Sequence, residues 1–176
     1  MAVRPLRDEA DVRELLVAHA QAWRAAYTEV LPAAVVERVA DEDPDDDRVA
    51  AEADRLSDYD DGRVLVYEDD DGTVCGYAVF RWGENETKAS VDEGEAELKE
   101  LYVEPARWGR GIGTALLEAG IDRLPDDVDA LSLEALEGNE VGIGFYERRG
   151  FDHVGDDAFE VDGGAYPTRV YRRPLE

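Results

Sequence analysis

Cysteine, methionine, histidine and lysine are nearly missing from these 176 residues: one Cys, one Met, two His and two Lys, Lys88 and Lys99. A single cysteine excludes an internal disulfide framework. Cys75 sits between Val74 and Gly76 in an apolar run. Without a basic partner to activate it, it reads as a buried, inert thiol and not as a nucleophile. Long apolar runs are absent too, so no segment reads as a membrane span. The opening MAVRPLRDEA has no apolar stretch of the secretory kind, and a cytoplasmic location is the expectation.

Carboxylate is what the chain has in excess. Asp and Glu number 44 against 19 Lys and Arg, a formal net charge of −25. Such a surface repels nucleic acid. Acidic tracts at 41–47, 68–71 and 126–127 lack the D-x-D-x-D-G spacing of a calcium loop and read as solvated turns and helix faces, so no metal is expected. Self-repulsion on this scale is relieved when salt shortens the Debye length to about 3 Å at 1 M. Acid excess with scarce lysine is thus the composition expected of a halophile's cytoplasmic protein.

The length suits one domain over 1–176. Val12, Leu15, Leu16, His19, Trp23 and Tyr27 recur at three- and four-residue intervals, which predicts an amphipathic helix over 9–27, with His19 packed on its stripe. Further helices are expected from Ala33 to Ala40 and from Pro44 to Leu56. Two strands, 64–68 and 73–82, flank a DDDG turn and predict a hairpin. Residues 83–96 read as a mobile loop. Strands are also expected at Glu97–Val103, Ala130–Ala135, Phe151–Val161 and Thr168–Arg173, the last two joined by the loop 162–167. The fold class is α/β: a mixed sheet of about six or seven strands with helices on both faces.

The most informative stretch is ELKELYVEPARWGRGIG, residues 97–113. A strand there runs into glycines 109, 111 and 113 at the start of a helix expected over Gly111–Leu124. Glycine permits φ > 0 and close approach, so successive N–H groups can converge on a phosphate at a helix N-terminus. A Walker loop is excluded, because Thr114 follows Gly113 with no lysine near. The dinucleotide fingerprint fails at Thr114 or at Leu116, depending on the glycine counted from. Downstream, Asn139 fits the N-cap and Gly150 the C-terminal stop of a short helix carrying Ile143 and Tyr146.

Taken together, V-x-P-x-x-x-G-x-G-x-G, a helix, a strand ending in Leu-Glu, Asn139 with Tyr146 seven residues on, and Arg-Gly-Phe resemble the GNAT superfamily of N-acetyltransferases. Within it the chain is similar to members with a W-G-x-G-x-G turn. The resemblance implies a GNAT-like, mostly antiparallel sheet with a splayed parallel pair that holds acetyl-CoA. Main-chain groups of Leu101, Tyr102 and Val103 would meet the pantetheine arm. Gly109, Arg110, Gly111, Ile112, Gly113 and Thr114 would hold the diphosphate, with Asn139 as a further contact. Tyr146 would protonate the leaving thiolate and Glu134 would be the base, with Glu97 and Glu100 as rivals. Trp23, Tyr27 and Glu97 would border the acceptor pocket. Two positions depart from the family pattern: Trp108 stands where Gln or Arg is common, and Gly142 where many relatives carry Ala, at a cost in helix propensity. The implied activity is acetyl transfer from acetyl-CoA to a primary amine of a small molecule or peptide, with a homodimer common among relatives. The alternative is a non-catalytic acyl-CoA sensor on the same scaffold. The sequence leaves the acceptor open.

Overall fold

A computed structural model describes residues 2–59, 63–83 and 90–176. In chain order the elements are β1 (Ala2–Pro5), α1 (Glu9–Tyr27), α2 (Ala33–Val39), α3 (Asp46–Ser57), β2 (Val64–Glu68), β3 (Val74–Arg81), β4 (Glu95–Val103), α4 (Ile112–Ile121), β5 (Ala130–Leu136), α5 (Glu140–Glu147), β6 (Asp152–Val161) and β7 (Gly164–Pro174), with a 3₁₀ turn at Pro105–Arg107. The strands form one sheet in the order β1-β2-β3-β4-β5-β7-β6. Every pairing is antiparallel except β4 with β5. This is the mixed α/β architecture expected.

Both faces of the sheet are covered, which explains why β3 is buried almost throughout. Ala78 and Phe80 join Leu65, Leu98, Leu116 and Leu117 in the core on the α4 side. Tyr77 and Val79 point the other way, with Val12, Leu15 and Leu16 of α1 and Val49 and Leu56 of α3. A third apolar cluster joins Trp23, Tyr27, Val35 and Val36 to Leu136, flanked by Phe159 and Tyr166 of the β6–β7 hairpin.

Helix starts follow the capping residues. Asp8 accepts from the N–H groups of Ala10 and Asp11, and Asp45 from that of Arg48. The third helix therefore begins at Asp46, two residues after the proline expected to open it. The DDDG turn forms as predicted, with Gly72 at φ +84° and the Asp69 carboxylate accepting from Asp71 and Thr73.

Several expectations are corrected. Strand β1 was not foreseen; it is a four-residue edge strand anchored by Arg4, which bonds both Asp11 and Glu68. Helix α4 stops at Ile121, three residues early. The loop expected over 83–96 ends sooner, because Glu95 and Ala96 belong to β4, and its residues 84–89 lie outside the described residues. The last two strands meet in a two-residue turn, Asp162-Gly163, and not across a six-residue loop. Both turn residues have positive φ, +51° and +75°, the geometry that Asp-Gly favours in tight hairpins.

Candidate active site

The site begins where the parallel pair comes apart. Strands β4 and β5 are in register only at Glu95–Ala130, Ala96–Leu131 and Glu97–Ser132. Beyond that point β4 carries an extra residue: Phe80 pairs with Leu98 and Val79 with Glu100, leaving Lys99 as a bulge. A bulge adds twist and reverses which side chains face which side. Leu101 and Val103 thus pack toward α4, and Tyr102 toward α1. Between the separated strands lies a cleft of about 420 Å³, walled by Leu98, Leu101, Tyr102 and Val103 on one side and Glu134 and Ala135 on the other.

At one end the cleft meets the glycine turn. Gly109 and Gly111 hold φ of +77° and +82°, which require glycine, while the space beside them is open. Gly113 is glycine for another reason: a Cβ there would come within 3.0 Å of the Phe145 ring. The first bond of α4 runs from the Ala115 N–H to the Gly111 carbonyl at 2.9 Å, and no side chain caps the helix. Among the described residues the N–H groups of 109–114 therefore meet no acceptor, at the positive end of a helix dipole. That is a cradle for an anion. Arg110 belongs to the turn but does not line the cleft. The Val103 carbonyl, expected to be free, accepts from the Trp108 indole at 2.7 Å.

At the other end a chain of polar groups crosses between α1, β4 and α5. The Trp23 indole donates to the Tyr102 hydroxyl at 3.0 Å. Tyr27 interacts with the Tyr102 hydroxyl and accepts from Asn139 Nδ2 at 3.3 Å. The Asn139 Oδ1 caps α5 by accepting from the Gly142 N–H at 3.0 Å, so both ends of this amide are engaged. Gly142 does more than lower helix propensity: a Cβ there would lie 2.5 Å from Asn139 Nδ2. Tyr146 lines the cleft, packed against Phe145 and Phe151. Burial, then the neighbouring Tyr27, pushes its phenol above the ordinary value, so it holds its proton at neutral pH. Glu134, facing the same cleft, accepts from the Thr168 hydroxyl at 2.6 Å.

The profile of the Acetyltransferase (GNAT) family matches residues 20–151. The chain belongs to that family. Among curated relatives, the mycothiol acetyltransferase of Propionibacterium freudenreichii is 36% identical over 102 residues, which is 56% of this chain but 30% of that protein. An uncharacterized N-acetyltransferase of Bacillus subtilis, YuaI, is 24% identical over 87% of this chain and 82% of its own. Of solved structures, the PaiA N-acetyltransferase of Thermoplasma acidophilum in complex with coenzyme A shares the fold with a TM-score of 0.67 at 20% identity, covering 99% of this chain and 100% of that one.

In this GNAT chain the sequence-named residues divide by location. Tyr27, Leu101, Tyr102, Val103, Gly109, Gly111, Ile112, Gly113, Thr114, Glu134, Asn139 and Tyr146 border one cleft. Trp23 stands behind the wall, holding Tyr102. Glu97 is buried, 3% exposed, and paired with Arg81 at 2.6 Å. Glu100 accepts from Tyr77 at 2.8 Å and pairs with Arg55 at 3.0 Å, and so is committed to the α3 side. Cys75 is buried, as expected, and burial pushes its thiol up. Sequence reading missed the cations of the cleft, Lys99, Arg107, Arg148 and Arg149. The paired arginines in YERRG, within so acidic a chain, were a signal that could have found two of them.

Proposed function

We propose that this protein transfers the acetyl group of acetyl-CoA to a primary amine by direct attack. One observation carries the reading: a single cleft joins an unbonded amide cradle at one end to Glu134 and Tyr146 at the other. When bound, the donor supplies a thioester, whose acyl carbon is open to an amine and whose thiolate can leave. The cradle would orient it through the N–H groups of 109–114, with the main chain of the separated part of β4 alongside the arm. Glu134, held by Thr168, would take the proton of the incoming ammonium, since Glu97 and Glu100 are engaged with arginines. Tyr146, kept protonated, would give its proton to the departing sulfur. Tyr27, Tyr102 and the small residues Ala22 and Ala26 would border the acceptor. The composition supports a setting of high salt in the cytoplasm.

The test is an acceptor screen in concentrated KCl that follows release of the CoA thiol, offering small-molecule and peptide amines. Turnover with at least one amine, diminished in Glu134→Gln and not in Glu97→Gln, is the expected result. Binding of the donor without thiol release from any amine would instead mark a non-catalytic sensor.

A further inference from the structure

The charge of the cleft is opposite to that of the molecule. A chain with a net charge of −25 lines this cavity with Lys99, Arg107, Arg148 and Arg149 against one carboxylate, Glu134. Two of the four cations are already compensated or held elsewhere. Arg107 pairs with Asp69 at 2.5 Å and with Glu104 at 2.9 Å. Lys99 Nζ donates to the Tyr59 hydroxyl at 3.3 Å. Among the described residues Arg148 and Arg149, like Lys99, have no carboxylate within ion-pair distance, although acids outnumber bases more than two to one in this chain, and Arg149 is turned instead to the glycine turn.

Arg149 is nonetheless held firmly. Its Nε donates to Thr114 Oγ1 at 3.0 Å, its Nη2 donates to the same oxygen, and its Nη1 donates to the Phe145 carbonyl at 3.0 Å. The guanidinium stacks on the Phe145 ring, 3.6 Å from its centre. A guanidinium has five N–H donors, and this arrangement uses three, leaving one on each terminal nitrogen. All its hydrogen-bond acceptors are neutral. Burial, then the adjacent Arg148, lower its pKa, and the more distant Glu118 offsets this only in part. Thr114, to which it is tied, ends the cradle whose N–H groups lack acceptors.

We propose that Arg149, backed by Arg148, is the element of this cleft that selects a diphosphate. It would set the preference for the nucleotide-bearing donor over a phosphate-free thioester carrying the same pantetheine arm. Amides at a helix start neutralise part of one negative charge. A diphosphate carries more, and a pre-oriented guanidinium fork supplies the remainder through charge-assisted, bidentate bonds. In the field of a strongly negative molecule, local cations are also what makes the cleft hospitable to a polyanion at all.

The proposal rests on the donor-binding role given to the cleft, and calorimetry with two probes separates the two. Coenzyme A and pantetheine are titrated in concentrated KCl into the wild type, Arg149→Gln, Arg149→Lys and Thr114→Val, each checked for folding by circular dichroism. Arg149→Gln should weaken CoA roughly 10- to 100-fold, the range for charged hydrogen bonds, and leave pantetheine within about twofold. Arg149→Lys should fall between, keeping charge but not the fork. Thr114→Val, which keeps the arginine and frees its orientation, should also weaken CoA selectively. Equal losses for both probes would give Arg149 a merely structural role, and unchanged CoA binding would remove it; either overturns the proposal. A wild type that binds neither probe would overturn the donor-cleft reading itself.

Discussion

The Tyr146 phenol and the His19 imidazole are both shifted by burial, with different consequences. Tyr146 is held above its ordinary value, so it keeps its proton through the pH range in which an amine becomes nucleophilic. Tyr146→Phe should lower kcat about 100-fold or more, the usual worth of a positioned acid, and leave CoA affinity unchanged; steady-state kinetics beside calorimetry checks both. His19, packed against Trp23, Tyr77 and Tyr102, is pushed down to about 4, first by burial and against the pull of Glu100. Below the ordinary value near 6.5 the unfolded chain takes up a proton that the native state refuses. The stability tied to neutral His19 is therefore intact above pH 6.5 and is lost as pH falls toward 4. Full loss is on the order of 3 kcal/mol. Urea unfolding at pH 7 and pH 4.5 in constant KCl should show a smaller drop for His19→Gln than for the wild type, because the other acids titrate alike in both. A single substitution on the other side of the cleft tests the polar chain: Tyr27→Phe removes the acceptor of Asn139 Nδ2 and should destabilise by about 1 kcal/mol, read from the same urea curves at pH 7.

Elements meet in this fold through small residues, and Gly120 in α4 is the tightest case. A Cβ at that position would fall 1.9 Å from Phe80 Cζ, inside the ring that β3 presses against the helix. Gly120→Ala should destabilise by about 2 to 3 kcal/mol despite its better helix propensity, because the overpacking cost exceeds the roughly 1 kcal/mol of propensity gained. Unfolding by urea at fixed salt checks the sign. That contact also marks the limit of what could be read from residues alone. The long periodic helix α1 and the hairpin β2–β3 were legible because local signals, apolar spacing and turn chemistry, agree with the tertiary contacts. The glycine turn was legible as a cradle because positive φ is a local demand. Gly113 looked the same but answers to Phe145, 32 positions away, a contact that no local pattern reports. The bulge at Lys99 was equally invisible: it changes the parity of β4 by pairing with β3, so the sequence EAELKELYV shows apolar residues without showing which face each takes. Edge strand β1 has too few residues to show alternation. The Asp162-Gly163 hairpin, by contrast, had its turn signal in plain view, and the wider loop read around it passed over that dipeptide.

At the scale of the whole molecule, the net charge of −25 sets how salt acts on both folding and donor capture. Only two lysines are present, and many arginines are already paired, as Arg13 with Asp46 and Arg24 with Glu42. Both of those partners lie in the tract 41–47, and the other exposed acids of that tract, Asp41, Asp43, Asp45 and Asp47, repel one another. The Debye length falls from about 10 Å at 0.1 M to about 3 Å at 1 M, so repulsion between loops fades over that interval, while close ion pairs are screened less. Thermal unfolding in KCl, chosen over sulfate because sulfate strengthens apolar burial by itself, should move upward between 0.1 and 2 M. A shift on the order of 10 °C corresponds to about 3 kcal/mol in a chain of this length. A melting point unchanged across that range would sink this account. The same field opposes the approach of a polyanionic donor, so its association rate should rise with salt between about 0.02 and 0.3 M, the reverse of ordinary electrostatic steering. Stopped-flow mixing with CoA, monitored through the half-exposed Trp108 at the mouth of the cleft, measures that slope. A falling rate would mean that the local cations, and not the molecular charge, govern the encounter.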